Sequence, residues 1–106
     1  MSIKQISDEN FSASIPSEGV ALVDFGAKWC PPCKVLLPIL SDLEREIGDK
    51  VTIMQVDCDD SPQMAGQFGV MSMPTVILFK DGQPMEKWVG LRPKDAYKSG
   101  IAKYLS

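Results

Sequence analysis

From Val20 to Phe25 the chain reads Val-Ala-Leu-Val-Asp-Phe, apolar throughout except at Asp24. Strict alternation would mark a strand with one wet face. A nearly unbroken apolar run instead marks a central strand covered on both faces, as in sheets flanked by helices. The sequence that follows supplies such a cover. Leu36, Leu40, Leu43 and Ile47 recur at spacings of four, three and four, laying one apolar stripe along a helix from Pro32 to Gly48. Pro38 lies inside this stripe and predicts a kink, since the period continues past it, and Gly48 fits the stop.

Around this pair the other elements read in order. Ile3 to Ile6 fits a short edge strand, and Ser7 with Asp8 and Glu9 reads as an N-cap with acids in the first turn. Phe11 and Ile15 give that helix an apolar face, and Pro16 ends it. Val51 to Val56 is a strand. Ser61-Pro62 opens a short helix, a capping hydroxyl before a proline, and Gly69 closes it. Thr75 to Phe79 is a β-branched-rich strand, Asp81-Gly82 a hairpin turn, and Met85 to Val89 the return strand. Pro93 opens a last helix carrying Ala96, Tyr97, Ile101, Tyr104 and Leu105. The order βαβαβαββα predicts an α/β fold, a mixed sheet of about five strands flanked by about four helices. With 106 residues and no repeat or linker, the chain reads as a single domain over 1–106.

Charge and cysteine content narrow the function. The net charge is −3 with Lys and Arg scattered, against the concentrated positive patch that nucleic acid requires. No basic amphipathic stretch or long apolar run predicts a membrane role, and no signal-peptide core follows Lys4, so a cytoplasmic protein is expected. Its working form is expected to be a monomer. Of three cysteines, two form the motif Trp29-Cys30-Pro31-Pro32-Cys33-Lys34, placed where a buried strand gives way to a long helix. Thiolate, not thiol, attacks a disulfide, and a helix N-terminus offers unpaired amides and a positive dipole end to hold the anion. That makes Cys30 the natural nucleophile and Cys33, one turn on, the resolving thiol. Half of a zinc site is the competing reading. A closed zinc site needs four ligands, and with no histidine and only Cys58 as a further thiolate, ligand counting favours redox chemistry.

Asp24 has two readings from strand position: a carboxylate buried among apolar neighbours, hard to ionise and suited to act as a base, or an edge residue reaching water. Trp29 is either core or, from its place beside Cys30, an exposed docking platform. Pro74 fits an ordinary strand-start proline. Cys58 reads as a packed thiol whose neighbours Asp57, Asp59 and Asp60 raise its pKa. Met64, Met71 and Met73 could face a groove, although core packing explains Met64 equally well.

The run from Val23 to Lys34 (Val-Asp-Phe-Gly-Ala-Lys-Trp-Cys-Pro-Pro-Cys-Lys), Pro38, Met73-Pro74-Thr75, Phe79-Lys80-Asp81-Gly82 and Val89-Gly90 resemble the thioredoxin family over essentially the whole chain. The resemblance implies the thioredoxin fold and reduction of protein disulfides by Cys30 and Cys33. Asp24 would be the buried proton acceptor for Cys33, Pro74 a cis-proline, and Met73 a source of backbone hydrogen bonds to an extended substrate. Trp29, Pro31, Pro32, Val89 and Gly90 would complete the substrate-contacting rim. No bound cofactor or metal is implied, only the Cys30–Cys33 disulfide. Its reductant would be a flavin-dependent thioredoxin reductase using NADPH, and its clients disulfide-containing proteins. The alternatives are a narrow-range relative of shifted potential, or a binding subunit independent of its thiols.

Three positions depart from the family pattern. Pro31 replaces the usual glycine, predicting a helix that starts no earlier than Pro32 and an altered reduction potential of open sign. Gly26 stands where a tryptophan is common, loosening or hydrating the site. Gln55 takes the place of a lysine, leaving Asp24 harder to ionise.

Overall fold

A computed structural model describes residues 3–105. Residues 1, 2 and 106, which the expected 1–106 unit includes, lie outside the described residues. The elements are β1 (Lys4–Ile6), α1 (Phe11–Ser14), β2 (Val20–Gly26), α2 (Pro31–Ile47), β3 (Val51–Asp57), α3 (Pro62–Gln67), β4 (Thr75–Lys80), β5 (Gln83–Val89) and α4 (Lys94–Ala102). The expected order and counts hold. A short 3₁₀ turn, Gly48–Lys50, adds to them between α2 and β3.

The strands form one mixed sheet in the order β1-β3-β2-β4-β5. β2 is central, parallel to β3 and antiparallel to β4, and every one of its residues is buried. Alternation along β2 divides the core. Val20 and Leu22 meet Leu36, Leu40 and Leu43 of α2 and Tyr97 and Ile101 of α4. Ala21, Val23 and Phe25 face the other way, into a cluster with Ile6, Phe11 and Phe79. Burying each of the three fully covered α2 leucines contributes about 1.5–3 kcal/mol. By the same alternation Asp24 points to the α2 side, under the start of that helix.

Three local expectations are corrected. Helix α2 begins at Pro31, not Pro32, with Cys30 as its N-cap at φ −90°, ψ 110°. The constraint on a pre-proline residue therefore falls on Cys30, which is extended as required, while a proline at the first helical position sacrifices no intrahelical bond. Ser7 does not cap α1; Asn10 holds that position and the acids Asp8 and Glu9 lie in the turn before it. Ser61 occupies the α3 N-cap, but its side chain makes no capping bond. Instead the Asp8 carboxylate accepts the N–H groups of Gln63 (3.2 Å) and Met64 (2.9 Å), and the Ser61 hydroxyl accepts Asp8 N–H. A cap from a distant turn thus replaces the local one and ties the amino-terminal segment to α3.

On the opposite face Lys94 bridges Asp42 and Glu46, and Lys98 reaches Glu46, clasping α4 to α2. No helix among the described residues is long and apolar enough to cross a membrane.

Candidate active site

Cys30 and Cys33 form a disulfide, their Cα atoms 5.3 Å apart across the first turn of α2. Both are almost fully buried. Because Pro31 and Pro32 have no amide hydrogen, the first available donor of the helix is Cys33 N–H, which points at Cys30 Sγ from 3.3 Å. The proline pair therefore concentrates capping of this sulfur on one amide.

On one side of the disulfide lies a backbone-lined rim. The Met73–Pro74 bond is cis. The Met73 carbonyl oxygen is 3.7 Å from Cys30 Sγ. Thr75 Oγ1 donates to Ser72 O, and Gly90, at φ +89°, donates its N–H to Pro74 O at 2.8 Å, so this segment is held from both sides. Trp29 is 63% exposed, and its indole N–H donates to Asp59 Oδ2 at 2.7 Å. Val89 and Met71 are also exposed. Of the expected rim residues, Trp29, Pro31, Pro32 and Val89 are exposed and Gly90 is half-buried, while Met73 packs against the cysteines. Met64 packs in the core instead.

Asp24, only 1% exposed, supports the first of its two readings. Gln55 is its register partner on β3 and donates from Nε2 to Oδ2 at 3.5 Å, while Oδ1 has no partner. Burial pushes the carboxyl up to about 7, and the Gln55 hydrogen bond opposes this only weakly. With an amide at Gln55 rather than a cation, desolvation stays in control. Cys58 is half-buried with its thiol pushed up to about 11, mainly by burial and then by Asp57 and other carboxylates. Its acidic neighbours contribute, but burial is the larger cause.

A cavity of about 640 Å³ opens behind Cys33, bordered by Gly26, Leu37 and Gln55. Its only signal in the sequence is that glycine, set in an otherwise bulky strand. The Trp29–Asp59 bond and the Asp8 cap carry no such signal. Among the described residues no three His, Cys, Asp or Glu side chains group so as to hold a metal ion.

The family profile for thioredoxin matches residues 2–103. The chain belongs to the thioredoxin family. It is 46% identical over 105 residues to thioredoxin of Bacillus subtilis (strain 168), covering 99% of this chain and 100% of that one. Thioredoxin of Staphylococcus aureus (strain N315) is 43% identical at the same coverage. Among solved structures, oxidized mitochondrial thioredoxin 3 from Saccharomyces cerevisiae superposes with a TM-score of 0.86 at 33% identity, over 95% of this chain and 94% of that one. Family and geometry agree on the chemistry. This thioredoxin-family chain is a thiol–disulfide oxidoreductase with a redox-active Cys-x-x-Cys disulfide.

Proposed function

We propose that Cys30 is the attacking sulfur and Cys33 the resolving one in the reduction of client protein disulfides. The Cys30 thiolate attacks one sulfur of the client disulfide. That bond breaks, and the departing client sulfur takes the electron pair and a proton. Cys33 then gives its proton to Asp24 and attacks Cys30 Sγ, releasing the second client thiol and closing the Cys30–Cys33 bond. The client gains two electrons and two protons: this chain supplies both electrons and one proton, which passes from Cys33 through Asp24 to the second client thiol, and solvent supplies the other proton. The observation that carries the assignment is the Cys33 N–H aimed at Cys30 Sγ at the mouth of α2, where the helix dipole favours negative charge on that sulfur.

Asp24 suits the base role because its carboxyl titrates near neutrality and its Oδ1 has no other partner. Met73 and cis Pro74 offer extended client backbone an edge beside the sulfur, with Trp29, Pro31, Pro32, Val89 and Gly90 as the rim. Recharging by a flavin-dependent thioredoxin reductase using NADPH, and a cytoplasmic, single-domain, monomeric working form, complete the reading.

Alkylation kinetics at neutral pH on the reduced protein test it. Cys30 reacting at least tenfold faster than Cys58 is the expected outcome, with Cys30→Ser abolishing insulin-disulfide reduction and Cys33→Ser accumulating clients as mixed disulfides on Cys30. A Cys30 no faster than an ordinary thiol overturns the assignment.

A further inference from the structure

The segment that carries Met73 runs from the end of α3 to the start of β4, and β5 holds it at both ends. At the far end Gly90 N–H donates to Pro74 O. The near end is the C-terminus of α3, which closes by two backbone bonds. Val70 N–H donates to Ala65 O at 2.8 Å and Gly69 N–H to Gly66 O at 3.2 Å, with Gly69 at φ +65°. This left-handed glycine ending satisfies two of the helix's orphaned carbonyls. The next two are taken by a side chain from another element. Lys87 Nζ donates to Phe68 O at 2.9 Å and to Gly69 O at 3.3 Å, where the carbonyls of a helix end favour a cation. Lys87 stands opposite Ile77 of β4 and, by alternation, shares a face of β5 with Val89 of the rim.

Between the two anchors, residues 70–73 lie outside any helix or strand. Met71 is 95% exposed, and Met73 packs against the cysteines. The path of this stretch is therefore set by where its ends are tied and by the Thr75–Ser72 bond.

We infer that Lys87 is a positioning residue for client docking: by capping the end of α3 it fixes the course of residues 70–73, and with it where the Met71 side chain and the Met73 backbone meet an extended client. It acts through this segment rather than on the sulfurs. An apolar side chain of similar length leaves both carbonyls to water, and the segment gains freedom that a client must remove on binding. The loss falls on clients that use the backbone edge, and not on disulfides too small to reach it.

The test oxidises reduced wild type, Lys87→Met and Lys87→Arg in single turnovers with insulin and with hydroxyethyl disulfide. Acid quench and mass spectrometry give the rates, and salt of about 0.5 M screens long-range steering. Lys87→Met should cut the ratio of insulin rate to small-disulfide rate about threefold or more. It should also speed hydrogen exchange of Val70 N–H several-fold while leaving Ile77 N–H unmoved. Lys87→Arg keeps the charge and the donors and should restore both. An unchanged ratio or unchanged Val70 exchange in Lys87→Met, or a Lys87→Arg no better than Lys87→Met, overturns the inference. The inference rests on the client-edge reading above, which wild type checks alone by reducing insulin about tenfold or more faster than the small disulfide. Without that preference the reading fails and takes this inference with it; with it, an unmoved Lys87→Met removes the inference only.

Discussion

The two sides of the disulfide are built on opposite principles. The side proposed to face clients is made of backbone edges and exposed side chains, Met73, Pro74, Gly90 and Trp29, held by hydrogen bonds that include the long-range pairs Trp29–Asp59 and Gly90–Pro74. The rear is made of a buried acid, an absent side chain and an amide: Asp24, Gly26 and Gln55. One side is pre-organised for contact, and the other keeps a carboxylate under strain from desolvation. The contrast teaches where stability is given up for chemistry. An outward rim costs little to maintain, whereas an acid inside a central strand destabilises the fold whenever it is ionised.

The largest test of that contrast is Asp24→Asn. The native carboxyl titrates at about 7 against an ordinary 3.8, so the folded protein holds a proton that the unfolded chain has released. Stability contributed by the neutral acid is fully present below about pH 3.8 and is lost as pH rises through about 7. A difference of roughly three units corresponds to about 4 kcal/mol. Denaturant unfolding of oxidised wild type should therefore weaken by that order between pH 4 and 8 relative to Asp24→Asn. Parallel curves would place no strain at the rear. The same variant should slow closure of the mixed disulfide at pH 7 by about a hundredfold, the lower range for losing a general base.

Gln55→Lys attacks the same strain from its partner. An ammonium near the Asp24 carboxylate favours ionisation and should lower its pKa by about one unit or more, worth ~1.4 kcal/mol or more. Carboxyl NMR titration reads this directly, and an unmoved Asp24 would mean that Gln55 does not control the rear side.

The front side is probed at its sulfur by Pro32→Ala. That change supplies an N–H at the second helical position, one of the two sites that bond an N-cap side chain. A second donor to Cys30 Sγ should lower the thiol pKa and speed alkylation several-fold at pH 6. Equal rates would show that Cys33 N–H alone sets the anion's stability.

How much of this is legible in the sequence follows the range of the interactions. β2 and α2 are readable because burial of Val20 to Phe25 and the Leu36-Leu40-Leu43 stripe are repeated locally, one residue or one turn apart. The disulfide pair is readable because a single helical turn brings Cys30 to Cys33. Asp8 as the cap of α3 is not, since its partners lie fifty-five and fifty-six residues away and Ser61-Pro62 offers a convincing local decoy. Helix α2 starts one residue before the expected position because the residue that obeys the pre-proline rule is Cys30, which leaves Pro31 free to be helical. The cis geometry at Pro74 has no local signal; the family resemblance alone implies it. The cavity is half-legible, since Gly26 announces missing volume but not that Cys33, Leu37 and Gln55 border it.

The smallest test concerns Trp29, an exposed piece of the front. Its indole N–H is satisfied by Asp59 at 2.7 Å, although the ring is largely in water. A solvent-exposed hydrogen bond to a carboxylate contributes on the order of 1 kcal/mol or less, so under the docking role proposed for Trp29 its value is to hold one ring orientation before a client arrives. Asp59→Ala should leave the unfolding midpoint nearly unchanged and the reactivity of Cys30 with a small alkylating agent intact. KM for a protein disulfide should rise about threefold to fivefold with little change in kcat. If instead alkylation slows with KM unmoved, Asp59 acts on the sulfur through charge and Trp29 is not a docking element. The front would then share the rear's dependence on buried electrostatics, and the contrast between them would fail.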